Sequence, residues 1–539
     1  MKKDDNNSIS RRNFVRKASL AAAAVTAGIG ITKANGNASA IDEKGKPIKT
    51  ATGFSINSLK PFIDKPLIGF QANVTYLVEY GIGRFLDDIQ NRANVNTLIQ
   101  RMPPFEISWD GLDKSTNPNG NFVTANPKYY KNIYMQPKGL GPNDFNLPDA
   151  MQKIMAETKK RGMKIYPWVE EDNSSSTPRI IGMDKLYEID LYGRRTTGHP
   201  GGPCLNNPYY RNLISGQIED FIRTYDVDGL QRGSERQGPL SNALGAWHHG
   251  SNSDPGRTSC FCEYCTEKAA KKGIDVERVK KAFLVLEQYV KNGRAGKRPP
   301  DGYYVEFWRI LLRNPELLVW ETFWADSMRE MQLEFYTKAK SIKPDVQVGF
   351  HIWHNASFNP IYRAEQDYQS YTKYSDFLKP VIYDNPAAER MASYVYSAGQ
   401  NIYGDLNKEQ LLEFEYSVMG FNEKSYDQII NGLENYETQL RELPINGTPK
   451  GTFERFSSDY VLKETKRAVE GVAGSKTVIY AGLGIDVGPK NSTPESVRDA
   501  VFACFQGGAK GLTLSTSHAA MRPENISAVG STLRELGLV

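Results

Sequence analysis

Cys260-Phe261-Cys262-Glu263-Tyr264-Cys265 packs three thiols into six residues, and Cys204 lies upstream in a segment of Gly, Pro and Asn. Four thiolates form a closed tetrahedral zinc site of the structural type. Disulfides are the competing reading if the protein is exported, and free thiols the third. Spacings of one and two residues strain pairing within the loop but suit chelation of a single ion. Cys504 falls in the helical pattern Pro494–Gln506 and reads as core. A second group of chemical residues recurs where apolar runs end: Trp168-Val169-Glu170-Glu171-Asp172, Arg232-Gly233-Ser234-Glu235-Arg236, His351-Ile352-Trp353-His354, Tyr383-Asp384-Asn385, Ile485-Asp486 and Ser515-Thr516-Ser517-His518. The remaining histidines, His199, His248 and His249, lie in polar loops.

Those apolar runs are the elements that must position this chemistry. Eight read as strands: Leu67–Val78, Asn94–Met102, Lys164–Val169, Val227–Arg232, Val346–Trp353, Phe377–Tyr383, Thr477–Ile485 and Gly511–Ser515. They are continuous rather than alternating, as strands buried on both faces require. Helical patterns separate most of them, including 148–161 and Asn207–Tyr225, the latter started by Asn-Asn-Pro. Residues 236–345 form a large helical insertion after the fourth strand, and 110–143 read as a long loop. Count, order and length predict an α/β fold, a (β/α)8 TIM barrel over 67–535. A doubly wound open sheet competes, but no Gly-x-Gly-x-x-Gly or phosphate-binding loop follows any strand, so no organic cofactor is expected.

In such a barrel the chemistry sits at the strand ends. Aromatic rings beside carboxylates suit sugars, which offer apolar C–H faces and many hydroxyls. Glycoside hydrolysis needs two carboxylates, one to protonate the leaving oxygen and one to attack or to activate water. Glu235 and Asp486 are the first candidates, with Asp384 in reserve. Trp168, Glu170, Glu171, Arg232, His351, Trp353, His354 and His518 are candidate substrate contacts. For Glu235 the plain alternative is a salt bridge to Arg232 or Arg236; for Asp486, a helix cap. An alternative chemistry, metal-dependent hydrolysis through His351 and His354, requires both rings on one side. At strand spacing they point to opposite faces. A glycan-binding barrel without turnover is the other alternative.

The 539 residues carry a net charge of +5, and its location matters. Residues 1–40 hold seven Lys/Arg and two Asp, which leaves the rest of the chain balanced; nothing argues for a nucleic-acid partner. That leader contains Ser10-Arg11-Arg12-Asn13-Phe14-Val15, an apolar stretch from Ala18 to Ile31 and Ala38-Ser39-Ala40. It reads as a twin-arginine signal peptide with its cleavage site, implying a periplasmic or secreted protein that starts near Ile41, with an N-terminal extension over 41–66. No later apolar run is long enough to span a membrane. Oligomeric state leaves no mark in the sequence.

Taken together, Cys204-x-Asn206-Asn207-Pro208, Tyr225-Asp226-Val227-Asp228-Gly229, Gly233-Ser234-Glu235-Arg236 and the C-x-C-x-x-C triplet resemble a group of exported glycoside-hydrolase-like barrels. The four-cysteine arrangement is also similar to the zinc cluster of family 42 β-galactosidases. In that family one Cys precedes a C-x-C-x-x-C triplet in the insertion after the fourth strand. The resemblance implies a barrel, a structural zinc held by Cys204, Cys260, Cys262 and Cys265, a carbohydrate substrate and a catalytic role for Glu235. The family carries Asn-Glu after the fourth strand and a Glu after the seventh; here Ser234-Glu235 and Asp486 stand in those places.

Overall fold

Apolar segments of four to seven residues, covered on both faces, pair in parallel only if each is followed by a crossover that returns the chain to the same edge. In the computed structural model eight strands do so and close on themselves. They are β1 (Leu67–Asn73), β2 (Thr97–Arg101), β3 (Lys164–Glu170), β4 (Gly229–Gly233), β5 (Gln347–Ile352), β6 (Phe377–Pro380), β7 (Val478–Gly484) and β8 (Gly511–Ser515). β1 pairs with β2 through Gly69 opposite Thr97 and with β8 through Leu67 opposite Gly511, so the barrel has no free edge. The structure describes residues 65–101, 126–133, 150–171, 183–196, 202–245, 254–421, 455–487, 492–515, 518 and 521–539. The leader, most of the 41–66 extension, most of the 110–143 loop, Asp172, His199, His248 and His249 lie outside them.

Inward and outward residues alternate along each strand. Ile99, Tyr166, Trp168 and Phe377 fill the axis, with Leu67, Val478 and Tyr480 against them. The large rings fit because glycine faces them. A Cβ on Gly349 would sit 2.3 Å from the Phe377 ring, and one on Gly233 would sit 2.2 Å from Trp168 Nε1. Outward residues such as Ile68, Phe70, Val169 and Leu230 are fully covered by the surrounding helices. Between β4 and β5 the chain passes through helices Glu263–Lys271, Val276–Arg294 and Tyr303–Arg313 before the long helix Glu316–Ile342, which packs on Pro208–Tyr225 in the outer layer.

Two runs differ from the sequence expectation. Leu67–Val78 is strand only to Asn73; Val74–Tyr80 is helix, because Val74 and Leu77 are three apart and both buried while Glu79 is exposed. The sixth run stops pairing regularly at Pro380, after which only Val381 bridges to Gly482. Tyr383 thus belongs to the rim rather than to the strand. No helix among the described residues is long and apolar enough to cross a membrane.

Candidate functional site

The mouth of the barrel is built from inward residues at the ends of β1 to β6 and β8. On β3, Trp168 and Glu170 are two apart and share the inward face. His351 on β5 stacks on Trp168, with ring centroids 5.3 Å apart and planes 23° apart. Glu235, two residues beyond β4, brings Oε1 to 3.1 Å from His351 Nε2. On the other side of that ring, Lys379 Nζ lies 3.4 Å from Nδ1. While protonated, the lysine can only donate, so Nδ1 accepts, and Nε2 carries the hydrogen donated to Glu235. Burial and the neighbouring Lys379 push the imidazole down to about 4, so it is neutral at pH 7.

Lys379 is fully buried on β6, within reach of Gln71 Oε1 at 3.4 Å and Tyr383 Oη at 3.1 Å. Burial pulls its ammonium down to about 7, against the opposing pull of Glu235 and Glu170. Both carboxylates also act on Tyr383, whose phenol is pushed up chiefly by burial. Glu235 and Glu170 thus converge over one floor of Trp168, His351, Lys379 and Tyr383. Arg101 at the end of β2 donates to Glu170, and Ser515 at the end of β8 donates to Gln71. Arg390, on helix Ala387–Tyr394, stands beside Glu235 and over the Tyr383 ring.

Other expected site residues have other surroundings. Glu171 is one residue past Glu170 and therefore faces away from the axis. There it meets Arg232 at 2.5 Å and Arg236 at 2.7 Å in a buried network that includes Ser234 and Glu188. That network takes Glu171 and Arg232 out of the mouth, whereas Glu235 reaches His351. Asp486 has a left-handed backbone (φ 55) that turns its carboxylate toward helix Pro523–Glu535. It accepts from Arg522 N at 2.8 Å, Arg522 Nη2 at 2.8 Å and Asn525 Nδ2 at 3.0 Å. These bonds keep it charged despite burial. Asp384 is buried, receives Arg455, and has its carboxyl raised by burial.

Among the remaining aromatic residues, Trp353 is buried edge-on to Tyr362, 5.5 Å between centroids. His518 bonds Tyr76 and Asp88, each at 3.1 Å, and lies 4.9 Å from the Phe85 ring. His354 is buried with Nε2 2.7 Å from Tyr460 Oη and Nδ1 2.7 Å from Arg390 Nη1. The ring nitrogens of His351 and His354 are thus committed to different partners and share no ligand position. Among the described residues, the four cysteines are the one group arranged to hold a metal.

Lys379, Arg101, Gln71 and Arg390 escaped the sequence reading. A lysine inside the apolar run Phe377–Tyr383, at an inward alternation position, was the available signal for the first. Arg101 and Gln71 carry a weaker one, as polar residues within strand runs.

The four thiols gather from two places, Cys204 before helix Pro208–Tyr225 and Cys260, Cys262 and Cys265 at the start of Glu263–Lys271. All four are buried and unpaired, and their sulfurs lie within 4.8 Å of one another. Cys204 Sγ is 3.5 Å from both Cys262 Sγ and Cys265 Sγ. That exceeds the ~2.05 Å of a disulfide and approaches the ~3.8 Å edge of a tetrahedron with metal–sulfur bonds of about 2.3 Å. N–H groups of Ile189 and Asn206 donate to three of the sulfurs, at 3.3–3.4 Å, as thiolates require. The set fits a thiophilic tetrahedral cation.

No family model matches the chain, and no curated protein matches it. Similar solved structures are glycoside hydrolases. A β-galactosidase from Rahnella sp. R3 is 13% identical over 89% of this chain and 57% of its own, with a TM-score of 0.41. A β-galactosidase from Marinomonas ef1 is 10% identical over 88% of this chain and 61% of its own, TM-score 0.46. The PgaB (BpsB) glycoside hydrolase domain from Bordetella bronchiseptica is 11% identical over 88% of this chain and 98% of its own, TM-score 0.41. The chain therefore spans about three fifths of the length of these β-galactosidases.

Proposed function

We propose that this protein is a glycoside hydrolase whose carboxylate pair is Glu235 and Glu170. The observation that carries the reading is their convergence over Trp168, His351, Lys379 and Tyr383 at the C-terminal mouth of a closed parallel barrel. A sugar ring needs an apolar platform, and Trp168 stacked on neutral His351 supplies one deep in the mouth. The guanidinium of Arg101 holds Glu170 as the carboxylate that attacks the anomeric carbon or draws a proton from water. Glu235 is bonded by a neutral imidazole N–H and serves as the proton donor to the leaving oxygen. Asp486 and Asp384 anchor the loops above β7 and β6.

Cys204, Cys260, Cys262 and Cys265 would hold a structural zinc, which supplies folding energy at the start of the helical insertion and takes no part in the reaction. The leader pattern supports export by the twin-arginine route, with the thiol cluster loaded before translocation.

The deciding experiment compares wild type, Glu235→Gln and Glu170→Gln on an activated aryl glycoside and an unactivated oligosaccharide. A panel of plant and algal glycans identifies the substrate first. Glu235→Gln should lose at least a hundredfold on the unactivated substrate and much less on the activated one, because a good leaving group needs little protonation. Glu170→Gln should lose both. Wild-type turnover in either variant would remove that residue from the chemistry.

A further inference from the structure

Glu235 leaves the end of β4 on a segment whose two faces have different partners. Arg232, Ser234 and Arg236 alternate along it, and all three reach the Glu171 carboxylate. Arg232 Nη2 lies 2.5 Å from Oε1, and Ser234 Oγ donates to Oε2 at 3.0 Å. Arg236 contacts both oxygens, at 2.7 Å through Nε and 3.2 Å through Nη2. The intervening residue, Glu235, therefore points the other way, to His351 Nε2. Gly233 fits the same alternation, since a Cβ there would strike Trp168. The aim of the proposed proton donor is thus set by side chains on the opposite face of its own segment.

Arg236 reaches further than Glu171. Its Nη1 donates to Pro203 O at 2.8 Å and lies 3.2 Å from Glu188 Oε1, and Glu188 Oε2 accepts from Ser259 Oγ at 2.7 Å. Pro203 directly precedes Cys204, and Ser259 directly precedes Cys260. The backbone repeats the connection, because residues 186–191 run between the two thiol-bearing segments. Cys204 N donates to Leu186 O at 2.7 Å, Glu188 N to Gly202 O at 2.9 Å and Phe261 N to Ile189 O at 2.7 Å. A chain of contacts thus leads from Cys204 and Cys260, through Glu188 and Arg236, to the residue beside Glu235. Glu171, Glu188, Arg232, Arg236 and Ser259 are each at most 3% exposed. Displacing one member of a buried ionic network leaves another charge uncompensated, so its members shift together.

We propose that Arg236, backed by Glu171 and Glu188, is the positioning residue for Glu235, and that through it the aim of the proton donor depends on the four thiols being filled by a thiophilic cation. The catalytic consequence rests on the proposed glycosidase reading; the physical coupling does not. The thiols bear on the reaction through position alone.

Two readouts on the full chain test this. The first needs no turnover: in histidine-labelled protein, the NMR signal of the His351 Nε2 proton, assigned by its loss in His351→Gln, reports the bond to Glu235. It should shift in Glu188→Gln, in Ser259→Ala and when a chelator withdraws zinc from wild type, and return when zinc is restored. A signal unmoved by chelation would overturn the dependence on the cation, and one unmoved in both variants would overturn the chain. If chelation unfolds the protein, the two variants, checked for retained zinc by elemental analysis, decide. The second readout is kinetic. Glu188→Gln and Arg236→Lys should lose roughly tenfold or more in kcat on an unactivated oligosaccharide, with KM near wild type and a much smaller loss on an activated aryl glycoside. An equal loss on both substrates, or one confined to KM, would mark general structural damage and overturn the positioning role. Should Glu235→Gln and Glu170→Gln both retain turnover, the glycosidase reading fails, and the His351 signal still decides whether the thiol site and Glu235 are joined.

Discussion

Replacing Lys379 by Met should change how the protein's stability depends on pH, in a window set by the lysine's shifted pKa. Met matches the length of the aliphatic stem and adapts to irregular space. The ammonium is pulled from its ordinary 10.5 down to about 7 by burial inside the barrel. Below pH 7 the lysine is protonated in both folded and unfolded chains, and the cost of burying the charge is fully present. Between about 7 and 10.4 the unfolded chain binds a proton that the native protein does not, so stability rises with pH. The slope approaches about 1.4 kcal/mol per pH unit, and integration from pH 7 to 9 yields about 2 kcal/mol. Above that window the gain is complete.

Two groups in contact with it titrate outside this window: His351 is pushed down to about 4, and Tyr383 is pushed well up by burial. Urea denaturation of wild type and Lys379→Met at pH 6, 7, 8 and 9 measures the effect as the difference between the two stability curves. Wild type should gain about 2 kcal/mol on the variant between pH 7 and 9, and only a few tenths (~0.4 kcal/mol) between 6 and 7. A difference that stays constant or shrinks across the range would show that Lys379 is charged and compensated inside the barrel, and the argument would fail.

Three further outcomes are expected. Cys262→Ser should lose zinc, measured as about one ion per wild-type chain by elemental analysis, together with a clear fall in Tm; metal-free wild type of undiminished stability would contradict the site. Asp486→Ala should cost ~2–3 kcal/mol by stripping the bonds to Arg522 and Asn525, yet leave kcat of the folded protein near wild type, whereas a catalytic Asp486 would lose it. Gly233→Ala drives a methyl into the Trp168 indole, 2.2 Å from Nε1; it should cost about 1–3 kcal/mol and shift the tryptophan fluorescence.

The eight strands, their order and the barrel were readable from the chain because continuous apolar runs bounded by polar, aromatic ends are a local property, decided within four to seven residues. The cysteine cluster was readable for the same reason: three ligands lie within six residues, and only Cys204 had to be brought from afar. Which strand-end carboxylates share the mouth was decided by tertiary structure. Glu170 and Glu171 are neighbours in sequence, yet strand alternation puts one on the axis and the other against Arg232, 61 residues away. Asp486 follows β7 by two residues as Glu235 follows β4, but Arg522, 36 residues on, and the start of its helix occupy it. Lys379 and Arg390 acquire their meaning only inside the fold. A cation's surroundings are set by which groups the register and the crossovers bring beside it. Burial then converts an ordinary lysine into one that titrates near neutrality.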